Sequence, residues 1–149
     1  MPRQPTVPSR KDLGRLQQAL LEAVLNGEPL PGGGPAQLAD LGFVLRHARI
    51  HLLDEGLVGR VALEGARKPV AVVSVADLRR EARAHGDIGY LHFLPPEADD
   101  AGEVWLTLEG RLVTADTGRE PASLSRLQVK LRRLDGRWEL TSETRALAG

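Results

Sequence analysis

The strongest constraint in this sequence is a pair of alternating apolar and polar segments that meet at a two-residue Asp135-Gly136 turn. Residues 124–134 precede the turn and residues 137–143 follow it, which is the pattern of a β-hairpin. Counting outward from the turn predicts five cross-strand pairs: Leu131 with Leu140, Arg133 with Trp138, Arg132 with Glu139, Lys130 with Thr141, and Gln128 with Glu143. We therefore expect an antiparallel sheet with one face in a core and the other in water.

Length and composition favour a single domain. The 149 residues are enough for one continuous core, which we assign to residues 9–149, after a flexible tail over residues 1–8 that contains three prolines. Acidic and basic residues balance at 20 each, and cysteine is absent, which excludes disulfides and thiolate chemistry. Because no segment has a secretory apolar run or the roughly 20 apolar residues of a membrane helix, we expect a cytoplasmic protein without membrane contact.

The N-terminal segment predicts a first helix over residues 10–26. Ser9 and Asp12 have the spacing of a helix N-cap, and apolar residues then recur on one helical face. Asn26 and Gly27 supply the kind of residue that ends a helix in left-handed geometry.

Residues 36–55 fit two patterns. Five apolar residues recur at helical spacing: Leu38, Leu41, Leu45, Ala48 and Leu52. Three alternate with polar residues as in a strand: Ala48, Ile50 and Leu52. We favour a second helix, because the helical stripe is longer and the segment is long for a strand. If this segment is instead extended and joins the sheet, the cone and its cavity would both be lost, and with them the family assignment given below.

The middle of the chain predicts a β-hairpin and then a short helix. Residues 57–63 and 70–73 are β-branched and apolar, and the residues between them would form the loop. Ser74 and Asp77 repeat the N-cap spacing, and Gly86 would end the helix. Four strands complete the prediction, over residues 88–94, 103–114, 124–134 and 137–143.

This order of elements, with Leu-Arg-Arg-Leu-Asp-Gly-Arg-Trp-Glu-Leu at residues 131–140, resembles the NTF2-like superfamily. The resemblance implies an α+β cone: two N-terminal helices, a β-hairpin, a short helix and a four-stranded antiparallel meander that form a curved sheet around the helices. It also implies a pocket, which members use for isomerase, cyclase or hydratase chemistry or for noncatalytic binding. The chain has only five aromatic residues, which argues against a large ring-lined cavity.

Four residues are the best candidates for a ligand site. Tyr90 and His92 share one side of their strand, and Trp105 and Glu109 share one side of the next. If His92 faces a pocket, it could act as a general acid or base beside Tyr90. The plainer interpretation, a hydrogen-bonded histidine and a packed tyrosine, is favoured because no second catalytic motif accompanies them.

A metal site and a nucleic-acid interface are both disfavoured. His47 and His51 are four residues apart, as helical zinc ligands often are, but the glutamate that would follow the first histidine is replaced by Ala48. We expect no metal and no cofactor. The basic residues near Arg80 and along the hairpin have structural explanations and no interleaved aromatic side chains, so we do not expect nucleic-acid binding.

The sequence therefore predicts a noncatalytic module that binds a small molecule or a protein and forms a homodimer through its sheet. The alternative is a small enzyme of isomerase, cyclase or hydrolase type, which would act on a small hydrophobic molecule with Tyr90 or His92 as the acid or base.

Overall fold

A computed structural model describes residues 7–34, 36–38, 41–61, 68–116 and 120–148. Of the predicted tail, only Val7 and Pro8 lie within this part. The elements are α1 (Arg10–Asn26), α2 (Leu41–Leu45), β1 (Ile50–Leu53), β2 (Val70–Val73), α3 (Val75–His85), β3 (Ile88–Ala98), β4 (Val104–Val113), β5 (Ala122–Leu134) and β6 (Arg137–Ala148). No helix in the described residues has the length and apolar character needed to cross a membrane.

The six strands form one open, curved sheet in the order β2-β1-β3-β4-β5-β6. Strand β1 runs parallel to both of its neighbours, whereas β3 to β6 form an antiparallel meander. The register shifts within three of these pairings, at Leu94/Glu97, Gly110/Arg111 and Val129/Leu131. Such irregularities bend strands, which fits the curvature. The predicted α+β class and the four-stranded meander are confirmed.

Helix α1 begins and ends where the sequence predicts. The Ser9 hydroxyl accepts a hydrogen bond from the Asp12 amide, and Gly27 adopts φ 70°, which a residue without a Cβ tolerates best. The buried side of the helix packs into the main core with Leu91 and Phe93 of β3. We call this side of the sheet the inner face. The α1 residues that pack against the inner face are Leu16, Leu20, Leu21, Ala23 and Val24.

Helix α3 lies on the opposite side of the sheet, which we call the outer face. The Ser74 and Asp77 capping box is formed, as predicted. Leu78 and Ala82 pack against Tyr90 and other outer-face residues of the sheet in a second, smaller core. The connection β2-α3-β3 carries the chain across β1, so α3 covers only one end of the outer face.

The predicted second helix over residues 36–55 is wrong for much of its length. Of the described residues in this segment, Leu41–Leu45 alone are helical, and Ile50–Leu53 form β1. All four β1 residues are buried, since the strand lies between two parallel neighbours with helices on both sides. A strand buried on both faces has a continuous apolar pattern, which periodicity does not separate from a helix.

The predicted hairpin between residues 57–63 and 70–73 is also wrong. Residues 57–61 lie outside any strand, and residues 62–67 fall outside the described part of the chain. Val70–Val73 pair in parallel with β1 instead. Parallel pairing requires a crossover connection, and local sequence gives no direct sign of it.

The final hairpin is confirmed at its turn and altered further from it. Asp135 and Gly136 both have positive φ, at 52° and 78°, as two-residue hairpin turns require. The three predicted pairs nearest the turn are present. The pairs of Lys130 with Thr141 and Gln128 with Glu143 are wrong, because a register shift next to Lys130 inserts extra β6 residues and places Gln128 opposite Arg145.

Candidate functional site

The outer face of β3, β4 and β5, which α3 leaves uncovered, carries the polar side chains of the sheet. Strand register places His92 opposite Glu109 and Glu109 opposite Arg126, so three strands contribute to one position. Two of the predicted ligand residues, His92 and Glu109, are thus brought together. The inner face at the same level is filled by apolar side chains.

Glu109 is the centre of this outer-face cluster. The residue is only 1% exposed, yet its carboxylate faces four donors. Its partners are Ser123 Oγ at 2.9 Å, Arg126 Nε at 2.9 Å, His92 Nδ1 at 3.3 Å and Arg111 Nη1 at 3.4 Å. A buried carboxylate requires such compensation, because an isolated charge out of water is strongly unfavourable.

The surroundings of Glu109 keep it ionised. Burial by itself raises the pKa of a carboxyl group, but hydrogen bonds from Ser123 and Arg126 and the charges of Arg111 and Arg126 outweigh burial and hold the pKa of Glu109 below its ordinary value of 4.5. Glu109 is therefore a fixed anion at neutral pH. It has the wrong charge state for a general acid and serves to orient the cations around it.

His92 and Arg126 connect this buried anion to solvent. The His92 side chain is 13% exposed and that of Arg126 is 45% exposed. Glu109 contacts the imidazole at Nδ1 and the guanidinium at Nε. Glu109 therefore holds the outer ends of both side chains in place, and the fixed guanidinium of Arg126 favours recognition of an anionic group.

Tyr90 is packed on the same face. It is 2% exposed, lies opposite His51 in β1 and belongs to the small core under α3. Burial raises the pKa of Tyr90, and the nearby charge of Arg111 only partly opposes this. The phenol therefore remains protonated at neutral pH, as the plainer interpretation expects.

Trp105 takes part in a separate arrangement. Its indole nitrogen donates to Asp99 at 3.0 Å, and the guanidinium carbon of Arg145 lies 3.5 Å from the ring centroid. Thr107 lies between Trp105 and Glu109 on this face of β4 and accepts a hydrogen bond from a β5 side chain. The predicted set of four residues thus divides into three parts: His92 and Glu109 in one cluster, Tyr90 in the small core under α3, and Trp105 with its own cation.

His47 and His51 lie close together but are not helical neighbours. Their rings meet edge to face with centroids 5.5 Å apart. His51 Nε2 lies 2.6 Å from a carboxylate oxygen of Glu81, and His47 Nε2 accepts a hydrogen bond from the Gly89 amide. Burial, with the nearby charge of His51, lowers the pKa of His47. No group of three or more metal-binding side chains occurs among the described residues.

Three members of the Glu109 cluster were missed by sequence reasoning: Arg111, Ser123 and Arg126. Arg111 has a local signal, because it lies two residues after Glu109 and so shares its face. Arg126 has none, since its contact with Glu109 depends on the pairing register of β4 with β5.

Comparison of the chain with protein-family models, with curated proteins and with solved structures finds no match.

Proposed function

We propose that the protein is a noncatalytic binding module of NTF2-like type, which holds a small molecule or a protein partner on the outer face of its sheet. The supporting observation is the buried Glu109 carboxylate, which holds Arg126 and His92 at the surface. The helix-first order and the four-stranded meander support the NTF2-like part of the proposal. Strand β1 counts against that part, because an extended segment within residues 36–55 that joins the sheet is the outcome under which the cone and the family assignment are lost.

The chemistry of the cluster favours a ligand with a carboxylate or a similar anion next to an apolar group. Arg126 offers donors to an anion, and the neighbouring strand positions expose part of Leu94. Ser123, the only hydroxyl bonded to Glu109 in the described residues, donates to the carboxylate and is not aligned with His92 as a nucleophile would be. This arrangement supports binding without turnover.

Sodium benzoate is a suitable probe, with benzyl alcohol as its neutral counterpart. Ligand-observed NMR should detect benzoate binding and little binding of benzyl alcohol. Arg126→Gln should weaken benzoate binding about tenfold, because a charge-assisted hydrogen bond is lost. Arg132→Gln, on the same strand and exposed, is the matched control and should leave the affinity unchanged. Equal binding to both variants would remove the proposal.

A second candidate is the small enzyme with His92 as the base, with Tyr90 nearby. The observation that favours it is the 3.3 Å contact of Glu109 with His92 Nδ1, because a carboxylate at one imidazole nitrogen can orient the other for proton transfer. The ring opening of 5-nitrobenzisoxazole, which begins when a base removes its C–H proton, measures such a base. The enzyme hypothesis expects a rate that is lost in His92→Gln and kept in His85→Gln, whereas the binding module expects no difference.

We also propose that two copies associate through the sheet. Strands β2 and β6 are both edges, and β2 carries the exposed Val72. Unpaired strand edges are common sites of association. Light scattering should give a molar mass of twice the chain mass at micromolar concentration. The Val72→Lys variant should give the mass of a single chain. A monomer at all concentrations would remove this part of the proposal.

A further inference from the structure

A cleft of about 660 Å³ opens between the N-terminal half of α1 and residues 58–60, well separated in sequence from the Glu109 cluster. Among the described residues, eight line the cleft, of which four are cationic and none is acidic. The cations are Arg10, Lys11 and Arg15 from α1 and Arg60 from the opposite wall. The fold thus joins basic residues that lie 45 or more positions apart in the chain.

The two walls of the cleft are fixed to each other. Gln17, which is 1% exposed, donates to the carbonyl oxygen of Gly56 at 2.7 Å and accepts from the amide of Val58 at 3.0 Å. Gly14 allows the close approach, since a Cβ there would lie 3.0 Å from the Val58 carbonyl oxygen. The cleft is therefore a preformed feature of the fold.

Most of the positive charge in the cleft is uncompensated. Arg15 forms ion pairs with Asp12 at 3.3 Å and with Glu139 at 3.2 Å. Arg10, Lys11 and Arg60 are exposed, and no ion pair joins them to a carboxylate in the described part of the chain. Three free cations within one concave surface attract a ligand with several negative charges.

We infer that this cleft binds a small molecule that carries a chain of phosphates. A single phosphate would leave most of the cleft and most of its cations unused, whereas arginine and lysine together fit successive phosphate groups. No aromatic side chain lines the cleft, and the chain has no net charge, so stacking and long-range attraction of nucleic acid are both missing.

Titration of the whole protein with inorganic tripolyphosphate and with ATP tests the inference. Calorimetry at low salt should detect binding of both compounds. Their affinities should lie within about threefold of each other, because the phosphates make the contacts. Arg60→Gln and the double variant Arg10→Gln with Lys11→Gln should each weaken tripolyphosphate binding roughly tenfold, as expected for a lost charge-assisted contact. Arg83→Gln, at an exposed arginine on α3, removes the same charge elsewhere and should have no effect.

Backbone NMR gives an independent readout that does not depend on the variants. Tripolyphosphate should shift the amide signals of Gly14, Val58 and Gly59 more than those of β4. Equal binding to Arg60→Gln and Arg83→Gln would overturn the inference, as would absence of binding at millimolar probe. Binding of ATP without tripolyphosphate would also overturn it, because a base would then be the recognised group.

Discussion

The two faces of the sheet are buried by different physical means, and strand β4 shows the contrast between neighbours. Leu108 is fully buried on the inner face and Glu109 is 1% exposed on the outer face. Leu108 belongs to the large apolar core beneath α1, whereas Glu109 is surrounded by four polar partners. Burial alone therefore does not distinguish the two faces, and the partners of each side chain do.

This difference separates stability from recognition. Apolar burial is nondirectional, and any well-packed side chain contributes through the area it removes from water. The Glu109 cluster depends on direction, since each donor must point at the carboxylate, and it leaves the Arg126 guanidinium partly exposed at the surface. We therefore expect substitutions on the inner face to change mainly folding and those on the outer face to change mainly binding.

The largest effect is expected for Leu108→Ala. It removes a fully buried side chain from the inner core and should lower the free energy of unfolding by about 2–5 kcal/mol, through lost burial and a cavity. Urea denaturation followed by circular dichroism measures it. Leu134 is 44% exposed at the end of β5, so Leu134→Ala is the matched control. It should lower the free energy of unfolding by less than about 0.5 kcal/mol. Similar costs for both would show that the inner face is not a packed core.

Glu109→Gln should have a smaller effect on folding and a larger one on binding. The amide keeps the size of the side chain but leaves two arginines without their anion. We therefore expect the free energy of unfolding to fall by about 1–3 kcal/mol. Benzoate binding should change as well, because the cations lose their anchor. Unchanged stability and unchanged affinity together would show that Glu109 organises nothing on this face.

Acid should reveal the charge of Glu109 directly. Its pKa is held below 4.5 in the folded protein, so its contribution is complete above that ordinary value and is lost as the pH falls through the lowered folded pKa. The stability difference between the wild-type protein and Glu109→Gln should therefore narrow on acidification. Unfolding free energies measured from pH 6 to pH 3, with Glu97→Gln as an exposed control, test this. A difference independent of pH would contradict it.

The smallest effect on stability is expected for Arg126→Gln. Its ion pair with Glu109 is 45% exposed on the arginine side and should contribute no more than about 1 kcal/mol to folding. The same substitution should weaken benzoate binding about tenfold. Thermal unfolding and ligand-observed NMR on one sample compare the two effects. A variant that loses stability but keeps its affinity would reverse the assignment of the outer face.

Local patterns predicted the elements that local interactions determine. The Ser9 and Ser74 caps, the Asp135-Gly136 turn and the alternating strands are set within a few residues, and all are present. Strand β1 was mistaken for helix because its burial comes from parallel neighbours distant in sequence. The sequence placed His92 and Glu109 on adjacent strands. Their pairing, the Arg126 contact and the basic cleft depend on register and packing that no short window contains.

The most direct test of the outer-face assignment is to map benzoate binding on the isotopically labelled protein by backbone NMR. The account predicts that the largest shift changes fall on β3, β4 and β5 around His92, Glu109 and Arg126, and that Arg126→Gln removes them. If the shift changes are instead confined to α1 and remain in Arg126→Gln, this account is contradicted.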